Sequence, residues 1–294
     1  MGGWPANILE TIGWTPLVRI NRLSENELYA KLEGRNPGGS IKDRPVQKMI
    51  EAAEKLDLIK NRIVIEASSG NTGIALAMIG AVRGYQIEIV MPENASLERR
   101  KAMTAFGAKI TLTPAELGID GAINLANKKL EKNPEKYFMP DQYSNENNPL
   151  AHYAQTANEI WEQTDGEIRA FVSGIGTGGT VMGVGKLLRE KNPEIKIIAA
   201  EPYPNHKIQG LKNMQTSIVP KIFNRKEVDE IIYVSDNDAF ETARNLAKKE
   251  GILVGISSGA SMWAAIQTAK KIKGIVISLL PDNGERYFTT ELFQ

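Results

Sequence analysis

Cysteine is missing altogether from the 294 residues. Its absence excludes disulfides, thiolate zinc sites, iron–sulfur clusters and cysteine nucleophiles. Histidine is almost missing: His152 and His206 are the only two. With so few ligands no transition-metal site is expected, and each histidine reads as a packed or surface residue rather than an acid–base group. An excess of one charge is missing as well, since 36 basic and 35 acidic residues leave a net +1. That balance argues against nucleic acid or a membrane surface as a partner. The basic clusters Arg99-Arg100-Lys101 and Lys248-Lys249 read as solvated helix faces. No apolar run approaches the ~20 residues of a membrane span, and residues 1–15 lack the basic-then-apolar pattern of a secretory leader. A soluble, cytoplasmic protein is the expectation.

What is present is an ordinary globular composition, 42% hydrophobic and 24% charged, in a chain longer than one comfortable core. Short β-branched runs alternate with longer helical patterns. Residues 63–67, 87–90 and 109–112 read as strands. Residues 71–83 and 121–132 read as helices, and so does a segment capped by Ser96 and running to Phe106, with Gly84 and Gly107 as stops. A second series has strands at 170–172, 195–200, 231–234 and 275–280, with helices ending at Glu190 and spanning 239–249 and 260–271. Such alternation predicts parallel sheets with right-handed crossovers. Between the series, Asn145-Glu146-Asn147-Asn148-Pro149 is polar and helix-breaking, which places a domain boundary there. The expected fold class is α/β, two domains with a cleft between them.

Three glycine-rich turns carry the chemistry. Gly174-Ile175-Gly176-Thr177-Gly178-Gly179-Thr180 follows a strand and opens a helix, matching the dinucleotide fingerprint, with Glu201 closing the next strand. Its firmer implication is a phosphate, because glycine lets backbone N–H groups converge on an anion at a helix N-terminus. A dinucleotide and a ligand-free tight turn stay open as readings. Ser68-Ser69-Gly70-Asn71-Thr72-Gly73 offers hydroxyl, amide and backbone donors at another helix start. It suits a carboxylate or phosphate, against the alternative of an N-cap and turn. Lys42 follows the small residues Gly38-Gly39-Ser40 and then Ile41, ahead of a helix whose Val46, Met49, Ile50 and Ala53 share one apolar face. An isolated lysine is ordinarily a surface charge. Here the position suits an amine that holds an aldehyde cofactor as a Schiff base. Ser258, in Gly255-Ile256-Ser257-Ser258-Gly259, has no histidine nearby in sequence and reads as a turn lining the cleft.

Taken in order, these residues resemble the cysteine synthase and cystathionine β-synthase group of pyridoxal-phosphate enzymes, over nearly the whole chain. The resemblance rests on Thr11-Ile12-Gly13-Trp14-Thr15-Pro16-Leu17, on residues 36–44 around Lys42, and on Ser69-Gly70-Asn71-Thr72-Gly73. Met91-Pro92-Glu93, Glu98-Arg99-Arg100-Lys101, Gln142, Asn148-Pro149 and His152-Tyr153 follow. Gly176-Thr177-Gly178-Gly179-Thr180, residues 255–259 and Gly284-Glu285-Arg286-Tyr287 complete it. Residues 208–211 and 220–223 look closer to the cysteine synthase B branch.

The resemblance implies two domains, each a mostly parallel twisted sheet flanked by helices, with the cofactor in the cleft. The smaller, mobile domain is set at residues 43–145 and the larger, cofactor-binding one at 1–42 and 146–294. It implies pyridoxal 5′-phosphate held by Lys42, with Gly176, Thr177, Gly178, Gly179 and Thr180 on its phosphate and Asn71 on its 3′-oxygen. Ser68, Ser69, Gly70, Thr72 and Gln142 would take the substrate carboxylate. The implied reaction is β-replacement, in which an O-activated serine loses its leaving group and sulfide adds to give cysteine. A homodimer acting on small molecules is implied. Serine acetyltransferase, bound by the other cysteine synthase branch, is raised as a partner without being decided.

Three positions depart from the family pattern. Pro281-Asp282-Asn283-Gly284 stands where a serine commonly bonds the pyridine nitrogen, so Asp282 and Asn283 become the candidates. Ser68 replaces a usual threonine and keeps the hydroxyl. Lys212 lies where some relatives accept O-phosphoserine. Cystathionine β-synthase, a serine/threonine dehydratase, a dinucleotide oxidoreductase and a non-catalytic relative are the competing readings.

Overall fold

A computed structural model describes residues 4–294. Met1, Gly2 and Gly3, which belong to the stretch read for a leader and to the larger expected domain, lie outside the described residues. The chain opens with strands β1 (Leu17–Arg19) and β2 (Leu28–Leu32). Then come α1 (Asp43–Lys55), β3 (Ile63–Ala67), α2 (Asn71–Arg83), β4 (Ile87–Pro92), α3 (Leu97–Ala105), β5 (Lys109–Thr113), α4 (Gly118–Lys132) and β6 (Tyr137–Phe138). It continues through α5 (Asn147–Ala151), α6 (Ala157–Gln163), β7 (Ile168–Gly174), α7 (Gly179–Lys191) and β8 (Lys196–Pro202). Last are β9 (Glu230–Val234), α8 (Asp236–Asn245), α9 (Ile256–Ala269) and β10 (Ile275–Leu280). Contacts divide them into two units, Met1–Ile12 with Asn36–Asn147, and Gly13–Arg35 with Asn148–Gln294.

The first unit holds a four-stranded sheet in the order β5-β4-β3-β6, parallel throughout. Alternation along β3 explains its two cores. Val64 joins Val46, Met49 and Ile50 of α1 and the apolar residues of α2. Ile65 and Ala67 face the other way, toward Ala122 and Ala126 of α4. Each such Val, Ile or Leu contributes about 1.5–3 kcal/mol on burial. Gly84, at φ 77°, ends α2 in the left-handed conformation, and Ser96 caps α3 by accepting from the Arg99 N–H.

The second unit holds six strands in the order β1-β2-β10-β7-β8-β9, of which only β1 runs antiparallel to its neighbour. Helix α9 is apolar nearly all round and buried from Ile256 to Met262, as a helix enclosed on every side must be. It starts at Ile256, so Ser258 sits in a first helical turn rather than in the expected loop. Strands β1, β2 and β6 do not show in the sequence pattern. β2 is hidden by Lys31, which is fully buried in mid-strand. Its Nζ donates to Glu159 Oε2 at 2.7 Å, Gln163 Oε1 at 2.9 Å and the Thr15 carbonyl at 2.7 Å. Among the described residues no helix is long and apolar enough to cross a membrane.

Candidate active site

In the first unit Lys42 is the residue before α1, with helical backbone angles of its own. The preceding turn is held tightly. Gly38 N–H donates to the buried Asp43 carboxylate at 2.6 Å, Gly39 N–H to the Asn36 carbonyl at 2.8 Å, and Lys42 N–H to Ser40 Oγ at 3.2 Å. Gly39 adopts φ 77°, and at Gly38 a Cβ would run into the Asp43 carboxylate. The small residues ahead of Lys42 are therefore demanded by the turn that fixes its backbone.

The same unit brings Ser68, Ser69, Gly70, Asn71, Thr72 and Gln142 together. The loop leaves the carboxyl end of β3, and α2 starts at Asn71. Ser68 Oγ accepts from the N–H groups of Gly70 at 3.3 Å and Gly73 at 3.1 Å, which closes the loop on itself. Thr72 Oγ1 donates to Gln142 Oε1 at 2.7 Å. The backbone N–H groups of Ser69 and Thr72 find no acceptor among the described residues. At a helix N-terminus such donors attract an anion.

Arg99 was expected on a solvated face, and the structure corrects this. It is 6% exposed, and its Nη1 donates to the Ser69 carbonyl at 3.5 Å. Arg100 bonds the Ala95 carbonyl and only Lys101 is exposed. The apolar spacing of α3 is too weak to announce which of three consecutive cations turns inward.

The second unit holds the remaining candidates. The loop after β7 reaches α7 with Gly178 at φ 85°. Its glycines answer to close neighbours: a Cβ at Gly176 would strike the Gly210 carbonyl, one at Gly178 would lie 2.8 Å from Phe223 Cβ, and one at Gly179 would strike Asn148. Thr177 Oγ1 accepts from Gly179 N–H at 3.3 Å and from Asn148 Nδ2 at 3.2 Å. Thr180 Oγ1 lies 3.4 Å from His152 Nε2, and His152 Nδ1 lies 3.0 Å from Thr156 Oγ1. The N–H groups of Gly176, Thr177 and Gly178 have no acceptor among the described residues. They form a second row of donors at a helix start.

Lys212 N–H donates to the Ile175 carbonyl at 2.8 Å, which lays its segment against this loop. Asp282 accepts from Tyr287 Oη at 2.8 Å, and its carbonyl receives Gly255 N–H and Ser258 Oγ. Asn283 Nδ2 donates to the Gly34 carbonyl at 3.0 Å. Glu201, the acid of the dinucleotide reading, is buried and engaged with Asn213 Nδ2 and Met214 N–H. Burial pushes its carboxyl up from the ordinary range, against the lowering pull of that N–H and of Arg225. His206 accepts from Ile208 N–H through Nδ1, in keeping with a packed residue.

Residues 8–282 match the family model described as pyridoxal-phosphate dependent enzyme. The chain belongs to that family. Its cofactor is pyridoxal 5′-phosphate, and the residues fit it: one loop of unclaimed N–H groups flanked by two threonine hydroxyls for a phosphate, and one lysine on a fixed backbone for an aldehyde. Among relatives in the family, a cysteine synthase of Aquifex aeolicus is 50% identical, over 97% of this chain and 91% of its own length. Cysteine synthase B of Salmonella typhimurium is 45% identical, over 98% and 96%. The crystal structure of cysteine synthase from Entamoeba histolytica superposes with a TM-score of 0.94 at 42% identity, over 99% of this chain and 91% of that one. The α/β fold with two mostly parallel sheets flanked by helices is thus the fold of this family.

Proposed function

We propose that this chain is a cysteine synthase, which replaces the leaving group of an O-activated L-serine with sulfide to give L-cysteine. The observation that carries the reading is the loop of residues 68–72 closed by Gln142, with Thr72 Oγ1 2.7 Å from Gln142 Oε1. An amino-acid substrate brings a carboxylate that such a loop can hold, and a dinucleotide oxidoreductase leaves the loop without a purpose. The near-full-length similarity to cysteine synthases supports the same reading.

When bound, pyridoxal phosphate supplies an electron sink for charge developing at the substrate Cα. The chain's residues do the rest. Gly176, Thr177, Gly178, Gly179 and Thr180 hold the phosphate, and Asn71 bonds the 3′-oxygen. Lys42 Nζ would hold the aldehyde and would serve as the base that accepts the proton at the substrate Cα. Ser68, Ser69, Gly70, Thr72 and Gln142 hold the carboxylate and so orient that proton toward Lys42. The Cβ–O bond then breaks with departure of acetate or phosphate. A new Cβ–S bond forms, and the Cα proton returns. Asp282 or Asn283 serves the pyridine nitrogen. Lys212 gives phosphate departure a cation, so O-phosphoserine is a donor to test beside O-acetylserine. A cytoplasmic homodimer is the assembly this reading carries.

The test is the visible spectrum of the purified protein before and after each donor is added, with cysteine measured once sulfide follows. A cofactor band that changes with donor and returns with sulfide is expected. A protein that stays colourless after pyridoxal phosphate is supplied would overturn the reading. Lys42→Ala should lose turnover while keeping its fold, since no core volume is removed.

A further inference from the structure

Glu66 lies in the interior of the first unit, 3% exposed, near the carboxyl end of β3 and two residues before Ser68. None of the roles above uses it. Its Oε2 accepts from the backbone N–H of Asp141 at 3.0 Å, and the N–H groups of Ala67 and Gln142 hydrogen-bond to the same carboxyl group. Asp141 adopts φ 52°, a left-handed conformation that costs a residue with a side chain about 1–2 kcal/mol. The next residue is Gln142, whose Oε1 receives the Thr72 hydroxyl. One carboxyl group therefore meets both the strand that ends in the substrate loop and the turn that delivers the glutamine to it.

We propose that Glu66 is a positioning residue for capture of the substrate carboxylate, its buried carboxyl group fixing the Asp141–Gln142 turn against the end of β3. The proposal rests on the reading of the Ser68–Thr72 loop and Gln142 as the carboxylate site.

The charge on Glu66 then matters as much as its hydrogen bonds. Burial, and then the negative charge of Asp141, raise the group to about 8 against the pull of the N–H groups of Asp141, Ala67 and Gln142. No cation offsets it among the described residues. Strand β3 lies between β4 and β6, with α4 on the face of Ile65 and Ala67 and with α1 and α2 on the face of Val64, which Glu66 shares. The charged groups of those two helices, Asp43, Arg44, Lys48, Glu51, Glu54 and Lys55 of α1 and Arg83 of α2, do not shift it. On β4, Glu88 pairs in register with Ile65 while Glu66 pairs with Ile89, so the two carboxylates point to opposite faces. Glu88 is held by Lys129 of α4, by Thr111 and, at 3.4 Å, by Tyr137 of β6, with Lys109 3.7 Å away. Toward Glu66 come Asp141, Tyr143 and, through Tyr143, Asp120 of α4; burial first, and then the Glu66, Asp120 and Asp141 carboxyl groups, push the Tyr143 phenol up to about 12. Lys128, Glu131 and Lys132 of α4 are exposed. At neutral pH Glu66 is thus an uncharged carboxyl group behind a site built for an anion. Ionised, it sets a negative charge there, which opposes a second one in the loop.

L-serine titrated into the cofactor-loaded enzyme, read by the cofactor's visible absorption from pH 6.5 to pH 9, tests this. Wild type, Glu66→Gln, Glu66→Ala and Gln142→Ala are compared, so that ionisation of the ligand's own amine cancels in the ratios. Glu66→Gln, which keeps an acceptor and never ionises, should match wild type at pH 6.5 and bind about tenfold more tightly than wild type at pH 9. Glu66→Ala should weaken binding at both pH values. If Glu66→Gln and Glu66→Ala both follow the wild-type curve throughout while Gln142→Ala binds poorly, the role of Glu66 is overturned and the carboxylate site stands. If Gln142→Ala binds as wild type, the carboxylate site falls and this inference with it.

Discussion

Thr72 and Gln142, 70 residues apart in sequence, meet through a 2.7 Å hydrogen bond from the Thr72 hydroxyl to the Gln142 side-chain carbonyl. A single hydroxyl on the second residue of α2 is thereby coupled to the turn after β6. The bond fixes the orientation of the Gln142 side-chain amide. Thr72→Val should free Gln142 to rotate and raise the KM for the amino-acid donor about 5- to 20-fold, the range of one buried hydrogen bond. The Thr72 hydroxyl has no proposed contact with the cofactor, and the loop proposed to hold the phosphate lies in the other unit, so affinity for pyridoxal phosphate should be unchanged; titration of the two ligands separates these effects.

Arg99 reaches the same loop from α3 through the Ser69 carbonyl. Arg99→Met keeps most of the stem and removes the charge and the donor. The expected outcome is a KM for the donor raised several-fold with kcat little altered. Lys101→Met, on the exposed face of the same helix, should change neither. Steady-state kinetics of the two variants decide it.

Glu66 also gives a pH signature to folding. Unfolded, the group has its ordinary value of 4.5; folded, burial holds it at about 8. Between those values the unfolded chain has released a proton that the folded chain keeps, so stability falls as pH rises across that window and levels off above it. Glu66→Gln removes this slope. Urea unfolding at pH 5 and at pH 8 should show the variant gaining on wild type by an amount on the order of a few kcal/mol. Parallel curves for the two proteins would refute the burial argument.

The parts legible in the sequence are those where one physical pattern governs a whole segment. β3 and α2 occur at the residues expected, because an unbroken β-branched run and an alanine-rich stretch stopped by Gly84 have no competing reading. The loop before α7 was visible because glycines spaced around a helix start are a local pattern, although the neighbours that demand them, Gly210, Phe223 and Asn148, are distant in sequence. Lys31, Arg99 and Glu66 were not visible. Each is an ionisable side chain in the interior, and local pattern assigns such residues to solvent. What overrides it is a partner distant in sequence: Glu159 for Lys31, the Ser69 carbonyl for Arg99, the Asp141 N–H for Glu66. The short strands β1 and β6 were missed because two or three residues carry no period.

The Lys31–Glu159 pair should be costly to break singly and cheap to remove whole. Lys31 Nζ and Glu159 Oε2 are 2.7 Å apart, with side chains 0% and 5% exposed. Lys31→Met strands the Glu159 carboxylate in the interior and should cost about 3–5 kcal/mol, whereas Lys31→Met with Glu159→Leu should recover most of it. Chemical unfolding of the single and double variants gives the coupling directly.

Gly84 and Gly178 separate what glycine does for the fold from what it does for the cofactor. Their backbones are alike, φ 77° at the end of α2 and φ 85° before α7, so an alanine at either position pays the same left-handed penalty of about 1–2 kcal/mol. Their surroundings differ. Nothing lies within 4 Å of a Cβ at Gly84, whereas at Gly178 the Phe223 Cβ is 2.8 Å away and the ring follows at 2.9 Å. Phe223 is buried and has little room to retreat. The Gly178 loop must therefore shift, and with it the N–H groups of Gly176 and Thr177 that are proposed to hold the phosphate. Gly84→Ala should lower stability alone and leave the dissociation constant for pyridoxal phosphate unchanged. Gly178→Ala should lower stability further and weaken cofactor binding at least about tenfold, the loss expected from one or two charge-assisted hydrogen bonds. Equal cofactor affinity in the two variants would place the phosphate elsewhere.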